Sequence, residues 1–317
     1  MRVAAPMEGL RVVVTGGAGF IGSHLVERLV ARHEVVVLDQ LAASEATNLR
    51  RVKDRITYVR GDVRRPEDVE AAVKGAEVVF HLAALVSPAE SVKDPVRFNE
   101  VNTHGTLAVL RAAKASGVRR VVFASSCAVY GANPPPLAED MALDLLSPYA
   151  VTKAAGELWC RLYHDLGAEA VALRLFNVYG PRQPAEGAYA AVIPKFLQMA
   201  LAAKAPEIYG DGEQTRDFVF VADVAEAFER AATAEGVSGE AVNVGSGEPI
   251  SIRRLLAVVC DILGTSVAAE PAPPRPGDIV HSYADVAKME RLLGFRPRVS
   301  LPQGLLATAE SMRGRSP

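Results

Sequence analysis

Tyr149 and Lys153 stand four residues apart at the start of a stretch with helical spacing, 148–166. That interval puts both side chains on one helix face. An ammonium beside a phenol favours the phenolate and lowers its pKa. A phenol tuned this way can take a proton from a sugar or alcohol hydroxyl at neutral pH. The pair alone carries little weight, because it recurs by chance in a chain of 317 residues. Ser125-Ser126 raises that weight. It follows an apolar strand pattern, 120–124, where a hydroxyl can bond both a substrate oxygen and the tyrosine. Serines in such places also simply turn or cap the chain.

A second group of residues suits a phosphate-bearing cofactor. Val12-Val13-Val14-Thr15 runs into Gly16-Gly17-Ala18-Gly19-Phe20-Ile21-Gly22, and a helical pattern follows (Leu25, Val26, Leu29, Val30). A strand delivers the backbone and the glycines let it approach a pyrophosphate. The helix N-terminus then offers free N–H groups and a positive dipole end. The spacing is G-x-x-G-x-x-G rather than G-x-G-x-x-G. Three glycines near a strand can also be a plain tight turn, but a second strand pattern, 34–38, ends in Asp39. A carboxylate there can grip a ribose hydroxyl pair and would repel a 2′-phosphate, so NAD is expected over NADP. Arg50 and Arg51 in the next loop could soften that preference.

These groups must be positioned by a substantial core. Half of the residues are hydrophobic, and the formal charge is −2, from 35 basic and 37 acidic side chains. No basic stripe is present, so neither nucleic acid nor a membrane is expected as a partner. Cys127, Cys160 and Cys260 lie far apart, which suggests a reducing compartment and no metal site. A strand begins about ten residues after Met1, leaving no room for a leader, and no apolar run is long enough to span a bilayer. A cytoplasmic protein is expected.

To about residue 180 strand and helix patterns alternate. Strands are expected at 56–60, 77–81, 120–124 and 169–176, and helices at 66–73, 95–115 and 148–166. Buried strands alternating with helices imply an α/β fold, a doubly wound parallel sheet of Rossmann type, with ligands beyond the carboxyl ends of the strands. The rest has shorter strand candidates, 218–220 and 241–244, and a proline-rich crossing loop, 271–276. An NAD-binding domain over 1–180 and a smaller substrate-binding α/β lobe over 181–317 are expected, with the chain crossing between lobes more than once.

With those residues in view, the chain resembles the extended short-chain dehydrogenase/reductase family, in its nucleotide-sugar epimerase and dehydratase group. Within that group it is most similar to the UDP-glucose 4-epimerases. The matching pieces are the glycine turn, Gly61-Asp62-Val63, His81-Leu82-Ala83-Ala84, Asn102 to Thr106, Ser125 to Gly131 and Tyr149-x-x-x-Lys153. Arg174 to Arg182, Thr215-Arg216-Asp217-Phe218 and Arg275-Pro276-Gly277-Asp278 complete the series. The resemblance implies Ser126, Tyr149 and Lys153 as the catalytic trio. Around NAD it implies Gly16, Gly19, Phe20, Ile21, Gly22, Asp39, Asp62, Val63, Leu82, Ala83, Ala84 and Asn102, with Tyr149 and Lys153. For a UDP-sugar substrate it implies Ser87, Ser126, Tyr149 and Asn177. Arg216 and Arg275 would hold the diphosphate, Asp278 the nucleotide ribose, and Ser282 would gate the sugar pocket. A small residue at that gate resembles forms that admit N-acetylated sugars.

The group's dehydratases carry Asp-Glu after the catalytic hydroxyl residue, and its decarboxylases usually place a Glu in that stretch. Here those positions are Cys127 and Ala128. Neither is a useful acid for eliminating water. The departure favours C4 epimerisation through a transient 4-keto sugar, on UDP-glucose and UDP-galactose and on the N-acetylated forms. A UDP-glucuronate 4-epimerase or decarboxylase, and a non-catalytic NAD-binding regulatory protein, stay open as alternatives. The family also implies a homodimer through helices 95–115 and 148–166.

Overall fold

The computed structural model describes residues 9–185, 191–274 and 279–314. The first part runs β1 (Arg11–Thr15), α1 (Phe20–Leu29), β2 (Glu34–Asp39), β3 (Ile56–Arg60), α2 (Pro66–Val73), β4 (Val78–His81), α3 (Pro88–Lys93), α4 (Pro95–Phe98), α5 (Gly105–Ala115), β5 (Arg120–Ser126), α6 (Pro148–Asp165) and β6 (Glu169–Leu175). There follow β7 (Asn177–Tyr179), α7 (Val192–Leu201), β8 (Glu207–Tyr209), β9 (Thr215–Phe220), α8 (Val221–Ala231) and β10 (Ala241–Val244). The chain closes with β11 (Pro249–Ser251), α9 (Ile252–Leu263), β12 (Glu270–Ala272), β13 (His281–Ser282), α10 (Ala287–Leu293) and α11 (Leu301–Arg313).

Seven strands form one sheet in the order β10-β6-β5-β4-β1-β2-β3, and every pairing in it is parallel. Successive side chains of a strand point to opposite faces. Val12 and Val14 therefore join one core, with Leu25 of α1 and Phe228 of α8. Val13 joins the other, with Val69 of α2, Leu110 of α5 and Cys160 of α6. Both faces are covered, which explains the continuous valine runs. The expected doubly wound sheet is observed.

Two expectations change in detail. The helix expected over 95–115 is broken by a π-helical turn at Asn99–His104. Such wide turns recur at functional sites, and this one sends the Asn102 side chain inward to Leu85. The strand expected at 241–244 sits on the edge of the main sheet, where Val242 pairs with Leu173 and Val244 with Leu175. Its apolar side chains have a place there because α8 returns to pack against α1. The second half of the chain thus also builds the first layer. What remains forms a small sheet, β11-β9-β13 with β7 beside β9, and a β12-β8 pair. α7, α9 and α11 supply its apolar core.

Candidate active site

The glycine turn is compact because larger residues do not fit. Gly16 has φ +70°, and a Cβ there would lie 2.7 Å from the Ala83 nitrogen. A Cβ on Gly22 would lie 2.2 Å from the Gly16 oxygen. α1 starts from Gly19 with no side-chain cap and no acid in its first turn. Its first N–H groups and dipole end therefore remain available to an anion. Asp39 ends β2 and accepts hydrogen bonds from the Ala18 nitrogen at 3.0 Å and the Leu41 nitrogen at 3.2 Å. Asp62 takes the Arg64 guanidinium on both carboxylate oxygens. That bond holds its carboxyl below the usual range. Gly16, Gly19, Phe20, Ile21, Gly22, Asp39, Asp62, Val63, Leu82, Ala83 and Ala84 all line one cleft of about 970 Å³. This cradle fits a dinucleotide.

The far end of the same cleft is lined by Ser126, Tyr149, Lys153 and Asn177. Ser147 caps α6 by accepting from the Ala150 nitrogen, and Pro148 occupies the first turn. That start puts Tyr149 on the first turn and Lys153 one turn later, 7% and 3% exposed. Lys153 Nζ donates to the Ala124 oxygen at 2.7 Å and lies 5.8 Å from the Tyr149 ring centre. Ser126 Oγ accepts from the Ala128 nitrogen at 3.2 Å, so its own proton is left to donate elsewhere.

The expectation that Lys153 lowers the Tyr149 phenol is corrected here. Burial pushes the phenol up to about 12, with the Ser126 hydroxyl opposing. Burial also brings Lys153 down to about 8, opposed by Glu157. With its ammonium already bonded to Ala124, the lysine does not overcome desolvation of the ring. Cys127 is pushed up to about 12, chiefly by burial and then by Asp217, so it is a poor acid.

Four expected site residues do not line the cleft. Asn102 accepts from the Leu85 nitrogen at 2.8 Å and donates to the Leu85 oxygen and Thr152 Oγ1, so its side chain is spent holding the loop after β4. Ser87 caps α3, because its hydroxyl accepts from the Glu90 nitrogen. Arg216 donates to the Thr215 and Val280 oxygens, yet its charge reaches the Cys127 thiol. Ser282 is buried beside it, as its register partner between β13 and β9. Arg275 and Asp278 lie outside the described residues.

Two buried groups escaped sequence reasoning as site members. His81 lies between Thr15 Oγ1 at 2.7 Å and Thr106 Oγ1 at 3.0 Å. Thr106 spends its proton on the Asn102 oxygen, 2.5 Å away. Nε2 of His81 must therefore carry the hydrogen, and Nδ1 accepts from Thr15. Burial drives His81 down to about 3, with the Lys153 charge adding to it, so the ring is neutral. The second group is Glu157, forked by Arg174 at 2.9 and 2.8 Å and bonded by Ser125 Oγ. Its signal was present in the sequence: it continues the four-residue row of Tyr149 and Lys153.

The profile of the NAD-dependent epimerase/dehydratase family matches residues 12–245. A UDP-glucose 4-epimerase of Mycolicibacterium smegmatis is 41% identical, over 97% of this chain and 100% of that protein. Among solved structures, the UDP-N-acetylglucosamine 4-epimerase of Methanobrevibacter ruminantium, in complex with UDP-N-acetylmuramic acid, superposes with a TM-score of 0.93. It is 38% identical and covers 98% of this chain and 100% of its own. The Thermus thermophilus UDP-glucose 4-epimerase complex with NAD gives 0.86 at 39% identity, over 97% of this chain and 100% of its own.

Proposed function

Because the chain belongs to the NAD-dependent epimerase/dehydratase family, we propose that it inverts C4 of a UDP-hexose, interconverting UDP-glucose and UDP-galactose and accepting the N-acetylated forms. The protein is an epimerase and uses NAD. One observation carries the finer reading. A buried phenol, hydroxyl and ammonium share a cleft with the glycine cradle, while Cys127 and Ala128 offer no acid for dehydration. Bound NAD⁺ would supply a hydride acceptor for the sugar with no net redox change, and its positive charge would favour an anion nearby.

Tyr149 takes the proton from the C4 hydroxyl and returns it after the keto sugar has presented its other face. Ser126 donates to the reacting oxygen and keeps it at the phenol. Lys153, charged below about pH 8, would offset part of the burial penalty on the phenolate without overcoming it. Asn177 Oδ1 is buried without a partner among the described residues. It is suited to accept a bond from the sugar nucleotide.

Arg216 and Arg275 are assigned to the diphosphate, where guanidinium forks match phosphate oxygens. Asp278 is assigned to the nucleotide ribose and Ser282 to the width of the sugar pocket. The segment 1–180 would hold the cofactor and the reacting sugar, and 181–317 would hold the diphosphate and nucleotide, with β10 and α8 crossing back to the main sheet. A homodimer belongs to the same reading: Val151, Leu158 and Leu162 of α6, Val92 of α3 and Val96 of α4 are exposed apolar side chains. A Leu158→Asp chain running as a monomer in light scattering would support it; a wild-type monomer would end it. No helix among the described residues is long and apolar enough to cross a membrane. A cytoplasmic location is consistent with that and is part of the proposal.

The test is a panel of UDP-glucose, UDP-galactose, both UDP-N-acetylhexosamines and UDP-glucuronate with product analysis. UDP-galactose giving UDP-glucose is expected. A pentose product with CO₂ would replace epimerase with decarboxylase, and no turnover of any member would leave a cofactor-binding regulator.

A further inference from the structure

Tyr149, Lys153 and Glu157 form one row on α6, each a helical turn beyond the last. The row faces the end of β5, with hydrogen bonds at Ala124 and Ser125. Lys153 Nζ donates to the Ala124 oxygen, and Ser125 Oγ donates to Glu157 Oε1. The Ser126 hydroxyl acts on the Tyr149 phenol. Arg174 reaches the same carboxylate from β6, where it is the register partner of Ser125. Its guanidinium lies 4.8 Å over the Tyr130 ring. Burial is the largest single influence and opposes its charge, but the hydrogen bonds it donates to Glu157, the charge of that carboxylate and Tyr130 together push Arg174 up.

We propose that Glu157 is a positioning residue of the proton-transfer site: its buried carboxylate, anchored by Arg174, holds Lys153 as an ammonium and, through Ser125, fixes the strand end that presents Ser126. The proposal deepens the C4-epimerase reading, and only its kinetic part rests on that reading.

Lys153 needs such help. It is 3% exposed, and its ammonium sits 5.0 Å from the Phe123 ring centre. Desolvation draws it down, and Glu157 is the charge that opposes this. The other groups around it do not substitute. Tyr149 on its own helix is neutral. His81 from β4 is neutral, Cys127 after β5 is protonated, and Arg174 from β6 is cationic. Glu90 of α3 and Arg97 of α4 line the same cleft but are of opposite charge. A glutamine at 157 could still accept from Ser125; it could not supply the charge. Charge and positioning can therefore be separated by substitution.

The experiment uses the full NAD-bearing chain labelled with lysine carrying ¹³Cε. The Lys153 resonance is assigned by its loss in Lys153→Met. Glu157→Gln is expected to lower the Lys153 titration midpoint by about one pH unit, and Glu157→Asp to restore most of it. Ser125→Ala is expected to leave the midpoint in place. With UDP-galactose, the alkaline limb of kcat should move down by the same interval in Glu157→Gln. In Ser125→Ala, kcat should fall roughly tenfold with its pH profile unmoved. An unchanged midpoint in folded, NAD-bearing Glu157→Gln overturns the proposal. Should that chain fail to fold because Arg174 is left unpaired, Glu157→Gln/Arg174→Gln is compared with Arg174→Gln alone, so that the difference in Lys153 midpoint reports the carboxylate; equal midpoints in the two overturn the proposal. A wild-type chain that turns over no UDP-sugar ends the epimerase reading alone, since the titration needs no substrate.

Discussion

Gly22→Ala is the sharpest test of the cofactor cradle. The added methyl would lie 2.2 Å from the Gly16 oxygen, 2.8 Å from the Gly17 Cα and 3.0 Å from the Gly16 carbonyl carbon. All three are backbone atoms, so no side chain can rotate away. Real carbon–oxygen contacts need about 3.2 Å or more, and the turn must open by roughly an ångström. The same Gly16 carbonyl accepts the Gly19 nitrogen at 3.1 Å, the bond that closes the turn. Opening it displaces the N–H groups at the start of α1. A charge-assisted hydrogen bond contributes about 1.5–3 kcal/mol. Losing one or two at a pyrophosphate gives about 3 kcal/mol, roughly two powers of ten in affinity. The overpacking itself costs about 1–3 kcal/mol of fold stability. The assay is NAD per chain released on denaturation, with the affinity of the stripped chain by calorimetry and urea unfolding alongside. Full NAD content and unchanged affinity in Gly22→Ala would refute the reasoning.

Three further outcomes are expected. Tyr149→Phe should lose at least about a hundredfold in turnover while keeping its NAD; near-normal rates would remove the phenol from proton transfer. His81 is neutral when folded because burial depresses its pKa from 6.5 to about 3. A depressed histidine contributes stability that is complete above pH 6.5 and is lost as pH falls toward 3. By pH 5 this residue alone removes about 2 kcal/mol, at about 1.4 kcal/mol per pH unit. Urea midpoints of wild type and His81→Gln at pH 7 and 5 check this, and equal pH slopes would contradict it. Arg182, at φ +72°, forks Glu27 of α1 at 2.6 and 2.9 Å and donates to the Asn48 oxygen at 3.1 Å. It thereby pins the segment whose Gln183 and Pro184 line the cleft beside Phe20. Glu27→Gln should speed loss of NAD about tenfold, followed by dilution and gel filtration; an unchanged rate would show the pair to be unconnected with the cofactor.

What was legible in the sequence was what is local. β1 and β2 show as β-branched runs because a strand buried on both faces tolerates little else, and the glycine turn shows because 16 and 22 admit no Cβ. The row 149–153 shows because helical spacing is a property of neighbours. Asn102 was read as a cofactor ligand because its motif was visible, whereas the π-helical turn that aims it at Leu85 depends on packing against α6. The strand at β10 was legible, but its place beside β6 depends on α8 returning to α1.

The sequence by itself determined the class of cofactor and the parallel sheet, since these follow from residue types at short intervals; the phenol, hydroxyl and ammonium were singled out by the family resemblance. Tertiary structure decided their ionisation and their neighbours. Whether Lys153 lowers the Tyr149 phenol or burial raises it depends on solvent exclusion by distant segments. Whether Glu157 meets Ser125 and Arg174 depends on the register of β5 against β6. Electrostatic effects grow as water is removed, and water is removed only by the folded whole.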